Sequence, residues 1–223
     1  MKSFAIFIFV IGAAVFLMSL FFKKSDQPEV GSPRQSSPAA EVREAPTPVT
    51  ASTSGEPRAA DLSKTKKYSA VLRTSQGEIV IDLNAHQTPK TVSNFIELSK
   101  SGFYNKTVFH RVVKGFMIQG GDPKGDGTGG PGYYFADEPF TGDYLRGTVA
   151  MANTGQPSTN GSQFFIMHQD YPLPKTYVIF GQVTKGMEIV DKIAEAPVTA
   201  NAFGESSKPV TPVVVSSVEI QEN

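Results

Sequence analysis

Tyr68–Leu83 reads YSAVLRTSQGEIVIDL. Tyr68–Arg73 alternates loosely and meets the turn signal Ser75-Gln76-Gly77. Ile79, Ile81 and Leu83 then recur at period 2, which places them on one face of a strand. The stretch predicts a β-hairpin. On its C-terminal side, Thr88-Pro89 has the form of a helix N-cap followed by proline at the first helical position. Val92, Phe95, Ile96 and Ser99 follow at helical spacing, and Gly102 supplies the stop. Beyond it come short strands at 108–113 and 116–119, separated by Lys114-Gly115. A glycine-rich loop spans 120–132, and further strands are expected at 147–152, 163–167 and 177–183. A second short helix, with Met187, Val190, Ile193 and Ala194 inward, ends before Pro197. A last strand occupies 213–220. Alternating β–α units are absent, which argues against a doubly wound parallel sheet. The pattern predicts a mainly β fold: an antiparallel barrel, its edges removed by closure, capped by two α-helices.

The 223 residues contain no Cys, no Trp and three His, with Lys+Arg 21 against Asp+Glu 21. The absence of Cys excludes a disulfide scaffold, a thiolate zinc site and a Cys nucleophile. A balanced charge argues against a nucleic-acid partner held through phosphates. The averages cover three unlike regions. Ser3–Phe22 is apolar almost throughout, about the 20 residues needed to cross a bilayer. The bulky pair Phe21 and Phe22 stands where a signal peptidase needs small residues, and Gly12, Ala13 and Ala14 lie mid-run. Residues 1–24 therefore read as an uncleaved transmembrane anchor in preference to a cleaved signal peptide. Residues 25–66 carry Pro28, Pro33, Pro38, Pro46, Pro48 and Pro57 and no aromatic side chain. They read as a disordered tether. Residues 67–223 form the folded domain.

Two segments place polar residues inside apolar strands: Phe109–Asp122, FHRVVKGFMIQGGD, and Asn160–Ile166, NGSQFFI. GDGTGG at 125–130 lies between them. Together they resemble the signatures of the cyclophilins, the cyclosporin-binding class of peptidyl-prolyl cis/trans isomerases. The likeness runs from about Tyr68 to Ile220. It implies a closed eight-stranded antiparallel β-barrel with a helix at each end, and isomerisation of X–Pro bonds in polypeptide substrates. It implies no metal and no cofactor, and a monomer of bacterial type.

The chemistry stands by itself. An X–Pro bond prefers trans by only about 0.5–1 kcal/mol, yet rotation faces a barrier of about 18–20 kcal/mol from lost amide resonance. In the twisted transition state the prolyl nitrogen regains a lone pair. A catalyst needs a donor that meets this nitrogen only when twisted, a socket for the ring and polar groups on the substrate backbone. Arg111, always charged and rich in N–H groups, is the candidate donor; outside such a motif it would read as a strand residue in a surface ion pair. Gln119 would keep the guanidinium aimed. Asn153 and Gln163 would hold the substrate backbone from two sides. The resemblance places the proline socket at Phe116, Met117, Phe165 and Leu173. Ala152 would give the substrate room, and Gly129 would border a second subsite. One segment departs from the family pattern. In Tyr171–Val178, Pro172 stands at the position of a frequent Trp and Tyr177 at that of a frequent His. A tyrosine there still closes the socket.

Other signals are discounted. Strand alternation turns His110 away from the groove, so it reads as a packed or hydrogen-bonded structural residue. Asp122 and Asp126 lack the spacing of a calcium loop. Asn160-Gly161-Ser162 matches a glycosylation sequon inside the second motif.

Overall fold

The structure, a computed structural model, describes Leu62 and residues 65–223. The anchor expected at 1–24 and nearly all of the tether at 25–66 lie outside the described residues. Among the described residues, no helix is long and apolar enough to cross a membrane.

The opening hairpin is β1 (Tyr68–Thr74) and β2 (Gly77–Leu83), joined by Ser75-Gln76. The Thr74 hydroxyl donates to the Gly77 carbonyl (2.6 Å) and accepts the Gln76 N–H (3.1 Å), which closes the turn. Then follow α1 (Pro89–Lys100), β3 (Arg111–Val113), β4 (Met117–Gly120), β5 (Thr148–Met151), β6 (Phe164–Met167), β7 (Ile179–Lys185), α2 (Met187–Ala194), β8 (Val198–Ala200), β9 (Ser206–Pro209) and β10 (Val215–Glu222). Eight strands form one antiparallel sheet in the order β10-β1-β2-β7-β5-β6-β4-β3; β8 and β9 form a separate two-stranded hairpin.

The sheet curls but does not close through a ladder, in contrast to the closed barrel expected. The start of β10 and the residue pair before it meet the segment preceding β3, not β3 itself. Lys106 and Phe109 donate to the carbonyls of Val215 and Val213, and Val215 donates to that of Thr107. The physical reason is the short β3: the expected strand at 108–113 is regular only over its last three residues. The β8–β9 hairpin, not foreseen in the sequence, packs beside β3 at this edge.

Helix α1 starts where the Thr88-Pro89 signal places it, but the cap is not the one expected. The buried Thr88 hydroxyl makes no capping bond; it faces the carbonyls of Ile179 (3.3 Å) and Asn84 (3.4 Å). The carboxylate of Glu138, from a distant loop, accepts the N–H groups of Lys90 (2.8 Å) and Thr91 (2.6 Å) and the Thr91 hydroxyl (2.5 Å). A negative charge there satisfies orphan donors and meets the positive end of the helix dipole. Helix α2 needs Gly186 before it. Its φ is +87°, and a β-carbon there would lie 2.2 Å from the Glu78 carbonyl oxygen. Val190, Ile193 and Ala194 are buried as expected, with Met187 packed against the core.

The strands carry two apolar layers. Ile118, Val149, Phe164, Ile166 and Phe180 face the main core, where α1 contributes Phe95. The Phe95 ring lies 5.1–5.6 Å from those of Tyr104, Phe164 and Phe180. Met117, Ala150, Phe165, Met167 and Ile179 form a second cluster with Tyr144. Period-2 alternation sends neighbours in sequence to opposite faces, so β6 is buried on both.

Candidate active site

The second face carries the site. Register aligns Arg111 with Gln119, Gln119 with Phe165, and Phe165 with Ala150, across β3, β4, β6 and β5. Cross-strand partners share a face, so this is one row of side chains. Beside it runs a second row, Val113, Met117 and Met167. Adjacent strands thus bring polar and apolar members of both sequence motifs together.

The polar row is a chain of hydrogen bonds. Arg111 Nη1 donates to Gln119 Oε1 (3.4 Å) and lies 3.9 Å from the Met117 sulfur. Gln119 Nε2 donates to Gln163 Oε1 (3.0 Å), and Gln163 Nε2 donates to the carbonyls of Gly127 (3.0 Å) and Gly129 (2.9 Å). Gln163 is therefore bound to the glycine-rich loop. That loop wraps the fully buried Asp122, whose carboxylate accepts the N–H groups of Lys124, Asp126 and Gly127. Asp122 is a loop organiser. Among the described residues no group of side chains could hold a metal ion.

The apolar side consists of Met117 and Phe165, both buried, with Phe116, Ala152, Leu173 and Tyr177 packed against them. The Phe165 and Tyr177 rings meet edge to face at 5.5 Å. Tyr177 is fixed through its backbone: its N–H donates to the Tyr144 hydroxyl (3.1 Å), which donates to its carbonyl (2.9 Å). Burial pushes the Tyr144 phenol above its ordinary pKa, so it stays a neutral donor. The Phe116 ring stacks near Tyr171 at 4.6 Å and lies 5.9 Å from the guanidinium carbon of Arg111. All the expected socket residues, Leu173 included, fall in one cluster. An open cavity of about 310 Å³ shares Tyr144 and Leu173 with this cluster and includes no member of the polar row.

Asn153 stands at the rim of the second cluster, and its side chain is bonded within the protein. Its amide donates to the Thr176 carbonyl (2.8 Å) and accepts the Gly155 N–H (3.0 Å), so it ties two loops together at the rim. His110 lies under the glycine-rich loop, and among the described residues neither buried ring nitrogen has a hydrogen-bond partner. Packing holds it, and burial lowers its pKa below 6.5. Asn160 is fully buried and donates to Asp137 (2.6 Å), so the sequon is inaccessible in the folded domain.

Sequence reasoning missed Glu205, in the turn of the β8–β9 hairpin. Its carboxylate accepts Arg111 Nε and Nη2 at 2.7 Å each. Nothing in the local sequence marks it; the contact spans 94 residues. Tyr144 was missed as well, one of several aromatics in an irregular loop with no strand or helix periodicity to single it out.

A guanidinium held at one edge beside an apolar surface can donate to an atom carried on an apolar ring that packs there. Comparison with known proteins agrees. Residues 69–220 match the family model described as cyclophilin type peptidyl-prolyl cis-trans isomerase/CLD. The chain is 43% identical over 169 residues to a "probable peptidyl-prolyl cis-trans isomerase B" of Mycobacterium tuberculosis, covering 68% of this chain but only 54% of that relative. It is 44% identical to peptidyl-prolyl cis-trans isomerase B of Streptomyces anulatus, covering 68% of this chain and 95% of the relative. A crystal structure of a Cryptosporidium parvum cyclophilin type isomerase superposes with a TM-score of 0.65 at 38% identity, covering 70% of this chain and 99% of that one. A second structure of that protein, in the presence of the dipeptide Ala-Pro, gives 0.64 at 39% identity, over the same shares of the two chains. This chain belongs to the cyclophilin-type peptidyl-prolyl cis-trans isomerase family.

Proposed function

We propose that this chain catalyses cis/trans rotation about X–Pro bonds in polypeptides. The observation that carries the reading is the Arg111 guanidinium standing next to the Phe116–Met117–Phe165 apolar cluster. A prolyl ring seated there sets its nitrogen beside the guanidinium. Glu205 takes Nε–H and one Nη2–H, and Gln119 takes one Nη1–H. The remaining N–H groups on the two terminal nitrogens face no acceptor stronger than the Met117 sulfur among the described residues. They are available to a prolyl nitrogen. In the planar amide that nitrogen's lone pair is delocalised and accepts poorly. As the bond twists, the lone pair localises and the charged donor stabilises it. The interaction strengthens only on approach to the transition state, so it accelerates rotation in both directions. No covalent bond forms or breaks.

The test is a protease-coupled isomerisation assay of the full chain beside Arg111→Ala. Loss of one preorganised donor costs about 10²–10³ in rate. Catalysis is expected to fall by that factor while peptide affinity stays within a few-fold. Equal losses in both would make the domain a proline-binding module.

We further propose that residues 1–24 anchor a monomer in the membrane and that 25–66 tether the domain, which acts outside the cytoplasm on proline-containing polypeptides. The apolar run of Ser3–Phe22 and the proline-rich composition support this reading. Mass spectrometry of the mature N-terminus, together with membrane fractionation, tests the anchor. A C-terminal reporter active only in the cytoplasm would overturn the placement.

A further inference from the structure

The β8–β9 hairpin stands apart from the eight-stranded sheet yet delivers a carboxylate to the central side chain of the site. We infer that Glu205 is a positioning residue for catalysis: it clamps the Arg111 guanidinium in the plane that points its terminal N–H groups at the substrate. The inference rests on the isomerase reading above.

Three observations carry it. First, the contact is bidentate, with Nε to Oε2 and Nη2 to Oε1 both at 2.7 Å. Two parallel bonds from a planar fork fix orientation as well as distance. Second, the carboxylate occupies the side edge of the guanidinium, built from Nε and Nη2. The second Nη2–H and the two Nη1–H groups lie off this edge, and Nη1 meets only the long Gln119 bond and the weak Met117 sulfur, so the ion pair aims the donor without covering it. Third, Glu205 is itself held. Asn201 Oδ1 accepts the N–H groups of Phe203 (2.9 Å) and Glu205 (3.0 Å), which shapes the turn. Asn201 Nδ2 reaches Glu205 Oε2 (3.4 Å) and Ser207 Oγ (3.1 Å). The polar chain thus runs from Asn201 through Glu205, Arg111, Gln119 and Gln163 to the glycine-rich loop. On its other side the guanidinium has only the long Gln119 bond and a weak sulfur acceptor. An arginine carries ample rotamer freedom, and without the clamp that freedom returns. The pairing also holds the Glu205 carboxyl below its ordinary pKa, chiefly through the Arg111 hydrogen bonds, so the clamp stays charged at neutral pH.

The experiment compares the full chain with Glu205→Gln. The amide keeps the shape but turns an NH₂ toward one of the two N–H groups. A lapse of about 1 Å in the position of a reacting group costs up to about 100-fold, so a partly loosened clamp is expected to lower kcat/KM about tenfold. The loss should lie in kcat, with peptide affinity within about twofold and the melting temperature little changed, because the pair is partly exposed. NMR of the wild-type chain gives a reading that needs no variant. The Arg111 Nε–H is expected as a resolved, slowly exchanging resonance, and Glu205→Gln should lose it. A wild-type kcat/KM retained within twofold in Glu205→Gln, a loss carried by peptide affinity, or a rapidly exchanging Arg111 Nε–H in the wild type would each overturn the clamp. If the wild-type chain shows no isomerase activity at all, the reading of the function fails instead.

Discussion

Asp122→Asn alters one atom in the buried carboxylate around which the glycine-rich loop is wound. Oδ1 accepts Lys124 N–H (2.7 Å); Oδ2 accepts those of Asp126 (3.1 Å) and Gly127 (2.6 Å). All three partners are donors, and an asparagine has only one acceptor oxygen. With that oxygen toward Gly127, the new NH₂ faces the Lys124 N–H. Turned around, the NH₂ faces two donors. The amide cannot move away, since even a β-carbon on Gly129 would lie 1.9 Å from Oδ1. The better orientation still loses one bond to a charged group and leaves a buried donor without an acceptor. Bonds to charged groups contribute about 1.5–3 kcal/mol, so the expected loss is about 2–3 kcal/mol. At about 2–4 °C per kcal/mol for a domain of this size, the melting temperature should fall by roughly 4–12 °C. Amide hydrogen exchange localises the effect: the Lys124 amide should lose protection while Gly127 keeps most of its own. The carbonyls of Gly127 and Gly129 hold Gln163, so kcat/KM should fall with the loop. A melting temperature within about 2 °C of wild type, with Lys124 equally protected, would refute the account.

Glu138→Ala removes the acceptor of two backbone N–H groups at the start of α1, where Thr88 makes no capping bond. Caps contribute about 0.5–2 kcal/mol, and this charged, three-bond case belongs near the top of that range. A lower urea midpoint with an unchanged slope is expected, and an unchanged midpoint would count against it. His110 predicts a dependence on pH. Burial outweighs the opposing pull of Asp122 and Asp126, so its folded pKa lies below the ordinary 6.5. Between those two values the unfolded chain holds a proton that the folded chain excludes. Stability is therefore full above about 6.5 and declines as pH falls toward the folded value. His110→Gln should flatten the difference in melting temperature between about pH 5 and 7, and identical slopes would refute the role.

Legibility in the sequence followed locality. Ile79, Ile81 and Leu83 announce β2 because period 2 is written within six residues. Thr88-Pro89 announces α1 for the same reason. Arg111, Gln119 and Phe165 each sit in a contiguous motif and are named by the resemblance those motifs carry, while their alignment in one row is seen only in the strand ladder. What escaped depends on distant chain. Glu138 caps a helix nearly fifty residues away. Glu205 reaches Arg111 across 94 residues from a hairpin whose strands are short and largely exposed. The open sheet escaped too, because alternation specifies which side a residue faces and says little about whether the two end strands meet. Asn153 shows another limit of a motif: it names the residue but not its neighbours, and the side-chain bond to Thr176 depends on a loop 23 residues away.

The double burial of β6 has a consequence for how such a protein can change. Phe164 and Ile166 hold the interior, while Phe165 and Met167 floor the groove, and the four residues are consecutive. A larger or smaller side chain chosen to suit a different substrate displaces a backbone whose other side is close-packed. Specificity and stability are written on the same four residues and cannot drift independently. Variation in substrate preference should therefore collect where the groove is edged by loops, around 127–129 and 171–177, and leave its floor untouched.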